Sequence, residues 1–209
     1  VSEAEQQALA RSIHDAYMEI FPTDTIESRL DVLEPGSYVA VTCSPSKGVE
    51  ETLAMSERIA ARGFRVVPHL AARMVRDEAH LREIMARLDD MPIVSLFVPG
   101  GDATTPAGKY TKALDLLRDI AEFDHRFEDI GVAGHPEGHP VVSTDVMIEE
   151  LSRKQAYSNY VVTQMCFDAT TIGRWIREVR DAGVMLPVWL GLPSVSNRST
   201  LLTTSLRIG

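Results

Sequence analysis

Glu19, His69, Asp102, His135, His139 and Gln164 are side chains whose surroundings point to chemistry rather than packing. Glu19 lies between Met18 and Ile20, just ahead of Pro22. In an alternating strand it faces one way and its apolar neighbours the other. A carboxyl held away from water is pushed towards its protonated form, the state a general acid needs. The competing expectation is a structural ion pair with Arg65 or Arg73. In Gly134-His135-Pro136-Glu137-Gly138-His139-Pro140 the two histidines stand four apart, a spacing that would suit a metal on a helix. Pro136 and Pro140 forbid a regular helix. A rigid ligand-binding turn is therefore the leading reading, ahead of plain turn residues and of an irregular metal site. Asp102 follows Gly100-Gly101, where a backbone without Cβ atoms can approach a ligand or an anion; a simple turn former is the alternative. His69 follows Pro68 at the end of an apolar run and reads equally well as structural. Gln164 stands among apolar residues, and a buried amide there needs partners that a ligand with an amide edge would supply.

These residues sit at the ends of a repeated pattern. Seven apolar runs recur: Met18–Pro22, Tyr38–Pro45, Arg65–Leu70, Ile93–Gly101, Asp129–His135, Tyr160–Phe167 and Leu186–Pro193. Each leads through a turn into a stretch of helical periodicity. Alternating strands and helices at this spacing specify a parallel sheet, and polar groups at its carboxyl ends mark the active face of a barrel or a doubly wound sheet. Ser2-Glu3-Ala4-Glu5 opens a capped helix with Leu9, Ile13, Ala16 and Tyr17 on one face, a candidate plug for the barrel bottom. Asp24 is expected to cap a helix running to Leu33 and stopped by Pro35-Gly36. Gly63 should end the next helix, and Ala79, Leu81, Ile84, Met85 and Leu88 should face inward from the one after. Ile93–Val98 reads as a strand buried on both faces, leading into the longest glycine-rich loop, Pro99 to Gly108. Trp175 and Trp189 are expected in the core, and Cys43 and Cys166 as reduced thiols within buried strands.

The 209 residues are read as one domain, 44% apolar and 24% charged. A net charge of −9 without any basic run argues against a nucleic-acid partner. No apolar run approaches the ~20 residues that span a bilayer, and no signal-peptide pattern is visible, so a cytoplasmic protein without a membrane partner is expected. A homo-oligomer is left open. A full (β/α)8 barrel needs about 250 residues. The pattern stops after its seventh unit, at Arg207-Ile208-Gly209. Missing residues at both ends, an absent C-terminal unit and unpaired edges on strands one and seven are therefore expected.

In order along the chain, these motifs resemble the methylenetetrahydrofolate reductase family, in an actinobacterial-type form. Glu19-Ile20-Phe21-Pro22 resembles its Glu-Phe-Phe-Pro, Pro68-His69-Leu70 its Pro-His-Leu, and Gly101-Asp102 the end of its Arg-Gly-Asp. Ile130-Gly131-Val132-Ala133 with Pro136-Glu137-Gly138-His139-Pro140, and Thr163-Gln164 with Phe167-Asp168, continue the match. The resemblance implies a (β/α)8 barrel that reduces 5,10-methylenetetrahydrofolate to 5-methyltetrahydrofolate, in one-carbon metabolism and methionine biosynthesis. Electrons would come from NAD(P)H, usually through FAD. It implies Glu19 as general acid, Asp102 as stabiliser of the cationic iminium and Gln164 as reader of the pterin. His69, Ala133, His135, His139, Lys154 and Thr42 would line the flavin site, and no metal is implied. The departures lie on the flavin side: Gly100 replaces an arginine, Ser44-Pro45-Ser46-Lys47-Gly48 a glycine-rich turn, and His135 a stacking aromatic. They predict weak or altered flavin binding and admit direct transfer from NADH. Rival readings are another folate-dependent one-carbon transferase, a non-catalytic folate-binding partner subunit, and a metal enzyme at His135 and His139.

Overall fold

The computed structural model describes residues 2–14, 16–23, 25–193 and 197–208. Each apolar run carries a strand, β1 starting one residue ahead of its run at Tyr17, a residue expected on the preceding helix: β1 Tyr17–Ile20, β2 Tyr38–Val41, β3 Arg65–Pro68, β4 Ser95–Phe97, β5 Asp129–Gly134, β6 Tyr160–Thr163 and β7 Val188–Trp189. Every ladder is parallel and joins strands consecutive in sequence, in two sheets, β1-β2-β3 and β4-β5-β6-β7. A single bridge from His69 to Phe97, with the Leu70 amide donating to the Phe97 carbonyl at 2.8 Å, carries the order across from β3 to β4. The strands thus follow chain order, as in a (β/α)8 barrel, with seven of its strands present.

Helices α1 Glu3–His14, α2 Ile26–Arg29, α3 Gly48–Ala61, α4 Glu78–Asp89, α5 Ala113–Ile120, α6 Thr144–Lys154, α7 Ala169–Asp181 and α8 Arg198–Ile208 fill the connections. Alternation along each strand divides the apolar residues in two. Val39, Val41, Val66, Leu96, Val132 and Val161 join Leu53, Ile59, Leu81, Ile84 and Leu88 from the helices in the main core. Ala40, Val67 and Phe97, with Tyr17, Tyr38, Ala133 and Val162, form a second cluster, the filling of the barrel. On α4 the expected Leu81, Ile84, Met85 and Leu88 are buried but Ala79 is exposed, and on α7 Trp175 and Val179 are buried. Helix α3 closes on a Gly63 turn. The fourth strand is confined to Ser95–Phe97, buried throughout, and Val94 before it is 40% exposed, so the expected buried run is shorter than residues 93–98.

Several expectations need correction. The capping box at Ser2 forms: its amide donates to Glu5 Oε2 at 2.6 Å, and Glu5 returns a bond to Ser2 Oγ. The helix it starts plugs nothing, however. Leu9 is 60% and Ile13 67% exposed, because α1 has no surface of the barrel beneath it. Asp24 lies outside the described residues; α2 is a short helix continued by a 3-10 turn, Leu30–Val32. Cys43 follows β2 and is half-buried, and Cys166 is buried but in the loop after β6, where its Sγ faces the Asp168 carbonyl. Trp189 is 37% exposed. It lies on the last strand, facing the seam with β1. No ladder joins β1 to β7 among the described residues. Instead Tyr17 stacks on Trp189, centroids 5.4 Å apart and 27° between planes, and on Tyr38 at 4.7 Å. Side chains close what backbone does not.

Candidate active site

Parallel strands place their carboxyl ends at one mouth of the barrel, and the candidate residues gather there. Tyr17 belongs to the inner cluster and Ile20 to the outer core, so Glu19 shares the inner face with Tyr17. Its register partner is Ala40, whose methyl leaves space beside the carboxyl. Glu19 stays in contact with water, yet the surrounding protein raises its pKa by desolvation. The anticipated ion pair is absent: Arg65 donates to the Tyr38 hydroxyl and Arg73 to backbone carbonyls. Glu19 makes no ion pair among the described residues.

Thr42 continues β2, with its amide bonded to the Ile20 carbonyl at 3.0 Å and its Oγ1 buried without a partner. His69 continues β3. Its ring lies 4.6 Å from that of Phe97, and burial lowers its pKa to about 3, so it is neutral near pH 7. At the end of β5 the chain turns through His135 to Gly138, whose amide bonds to the His135 carbonyl at 3.1 Å. Gly138 takes φ +86°, a backbone conformation that disfavours any side chain. This is the rigid turn expected from the two prolines, and it brings the His135 and His139 rings within 5.6 Å, edge to face. Burial, reinforced by His139 and Lys154 and opposed by Asp102, lowers the His135 pKa to about 4. His135 Nδ1 has no partner. His139 Nδ1 accepts from the Val141 amide.

Lys154 ends α6, only 8% exposed and without an ion pair among the described residues. Burial lowers its pKa to about 8, against the pull of Glu150. Gln164 is not the buried strand residue expected. It lies one position past β6, exposed, with Oε1 accepting from the Met165 backbone amide; its backbone N–H donates to the Gly134 carbonyl at 2.7 Å. Asp102 is exposed in the loop after β4. No hydrogen bond or ion pair links Glu19, Asp102 and Gln164 to one another among the described residues. Asp168, in the motif after Gln164, is a helix cap: its carboxylate accepts from the Thr170 amide at 2.9 Å and the Thr171 hydroxyl at 2.8 Å. No group of three or more histidine, cysteine or carboxylate side chains able to hold a metal occurs among the described residues. A groove of about 920 Å³ lies between α6, α7 and the turn residues Pro136, Glu137 and Gly138, and neither Glu19 nor Gln164 lines it.

The sequence model described as methylenetetrahydrofolate reductase matches residues 22–205. The chain belongs to the methylenetetrahydrofolate reductase family. Its seven parallel strands are those of that family's (β/α)8 barrel. A probable methylenetetrahydrofolate reductase (NADPH) of Caenorhabditis elegans is 32% identical over 115 residues, 54% of this chain and 16% of the relative. Methylenetetrahydrofolate reductase 1 of Schizosaccharomyces pombe is 34% identical over 93 residues, 44% of this chain and 15% of the relative. A probable methylenetetrahydrofolate reductase (NADH) of Oryza sativa subsp. japonica is 27% identical over 105 residues, 44% of this chain and 17% of the relative. The matched stretches thus span about a sixth of these relatives.

One residue of this reductase-family barrel escaped the sequence reading except as a partner for Glu19. Arg73, five positions after Pro68, threads the loop that carries Asp102. Nothing local marks it, because its partners are carbonyls about 30 or more residues away.

Proposed function

We propose that this chain is the catalytic barrel of an oxidoreductase that reduces 5,10-methylenetetrahydrofolate to 5-methyltetrahydrofolate with electrons from NAD(P)H. The observation that carries the reading is Glu19: a carboxyl on the inner face of the barrel, without an ion pair, with its pKa raised. Opening the imidazolidine ring breaks a C–N bond, and the departing nitrogen needs a proton. Glu19 gives it. The ring-opened carbon becomes a cationic iminium, and the Asp102 carboxylate, which makes no hydrogen bond or ion pair among the described residues, stabilises that charge. Gln164 presents an amide that pairs with the amide edge of the pterin. A hydride at the iminium carbon completes the methyl group.

FAD, when bound, supplies a two-electron relay between nicotinamide and substrate. Thr42, His69, Ala133, His135, His139 and Lys154 would hold it. The fit rests on Thr42 Oγ1 and His135 Nδ1, buried without a hydrogen-bond partner among the described residues, and on the buried Lys154 ammonium, which makes no ion pair among them. Unsatisfied groups of this kind are costly unless a ligand completes them. A second reading, direct hydride transfer from NADH, is favoured by Gly100. The family pattern places a cation at this position, and glycine supplies none. The folate substrate is the partner proposed.

The deciding experiment is anaerobic NADH and NADPH oxidation with 5,10-methylenetetrahydrofolate, with and without added FAD. Turnover supports the reductase, and its FAD dependence decides between the relay and direct transfer. Folate binding without turnover would favour a one-carbon transferase or a folate-binding partner subunit.

A further inference from the structure

Asp102 makes no hydrogen bond or ion pair among the described residues, so where its carboxylate stands is set chiefly by the backbone of its loop. That backbone is held from one side chain and its own peptide groups. The Arg73 amide donates to the Gly100 carbonyl at 3.0 Å, and the Arg73 carbonyl accepts from the Ala107 amide at 2.8 Å. Arg73 Nε donates to the Ala103 carbonyl at 2.6 Å, Nη2 to the Thr104 carbonyl at 2.7 Å and Nη1 to the Thr111 carbonyl at 3.2 Å. The bonds therefore fall on both sides of Asp102. Arg73 forms no ion pair among the described residues; its donors are committed to the loop. A guanidinium can do this because its five donors lie in one rigid plane, whereas an ammonium on a flexible stem cannot meet three separated carbonyls at once. Close packing reinforces the clamp. Gly101 has φ +92°, and a Cβ on it would lie 2.9 Å from Ala71 Cβ, so the segment before Arg73 is pressed against the glycine before Asp102.

We propose that Arg73 is the positioning residue for Asp102, setting where the stabilising carboxylate stands over the barrel mouth; this rests on the role given to Asp102 above. A misplacement of about 1 Å costs roughly 10²-fold in rate, so Arg73→Lys should lower kcat about 10- to 100-fold. The test is a double-mutant cycle in the full chain with Asp102→Asn, assayed with 5,10-methylenetetrahydrofolate and NADH, alongside amide hydrogen exchange. Because Arg73 acts through Asp102, Arg73→Lys should change kcat less than about twofold once Asp102 is asparagine. Exchange should accelerate between residues 100 and 111 and stay unchanged in the strands. Gly101→Ala, which disturbs the same stretch from the other side, should repeat the pattern and keeps the test open if Arg73→Lys does not fold. Losses that multiply in the double variant, or exchange in the loop that does not change, would overturn the proposal. A wild-type protein without turnover would count against the reductase reading alone, and loop exchange would still decide whether Arg73 holds the loop.

Discussion

Glu19 and Lys154 are charged residues that the fold places where their charge is disfavoured, and both make measurable predictions. Glu19→Gln keeps size and hydrogen bonding but removes the proton donor. Turnover should fall about 10²–10⁴-fold, the usual worth of a general acid. The melting temperature should hold or rise, because a carboxylate with a raised pKa costs stability when ionised. Turnover that survives in this variant would place the proton donor elsewhere. For Lys154 the pKa is about 8 in the folded chain and 10.5 ordinarily. Between these values the unfolded chain holds a proton that the folded chain has lost, so stability rises with pH across that window. Relative to Lys154→Met, the wild type should gain up to about 3 kcal/mol between pH 8 and 10.5, from about 1.4 kcal/mol per pKa unit. Urea unfolding of both proteins at several pH values measures it.

At the scale of elements, the barrel uses rigid turns to aim side chains that the strands cannot aim. The His135–Gly138 turn brings two rings to the mouth although prolines bar a helix there. Gly138→Ala meets open space, its nearest neighbour being Thr144 Oγ1 at 3.9 Å, so its cost is conformational. Holding a non-glycine residue at positive φ costs roughly 1–2 kcal/mol. The variant should therefore lose about that much stability by urea unfolding, and any ligand bound through His135 or His139 should bind more weakly. Helix α1 shows the opposite case. Its capping box is complete, yet capping and amphipathic spacing create a face without creating anything for it to cover.

At the scale of the whole molecule, the feature to test is the seam between β1 and β7. Tyr17 bridges it by stacking on Trp189 and on Tyr38, and it also meets Tyr160 edge to face at 6.3 Å. Removing a packed aromatic of this kind costs about 3 kcal/mol or more. Tyr17→Ala should lower stability by that order in urea unfolding. Trp189 should become more accessible to acrylamide quenching, while Trp175, 3% exposed, stays shielded. Unchanged quenching would mean that the stack does not close the seam.

Seven strands, their parallel arrangement and the end of the sheet where the candidate residues gather were legible in the chain's local patterning. Those properties follow from local periodicity and from the geometric need of parallel strands for crossovers. The same patterning also determined which way Glu19 faces and that His135 and His139 share a turn, since alternation and proline act over a few residues. It took the assembled fold to show that Glu19 has no ion pair among the described residues, that Gln164 is exposed beyond its strand, and that Lys154 is buried. Only the structure put Arg73 on the carbonyls flanking Asp102, and Tyr17 against Trp189. Those outcomes turn on partners 30 to 172 residues apart in sequence. Contacts at that separation form only when the whole ring of strands is assembled, and no local pattern encodes them.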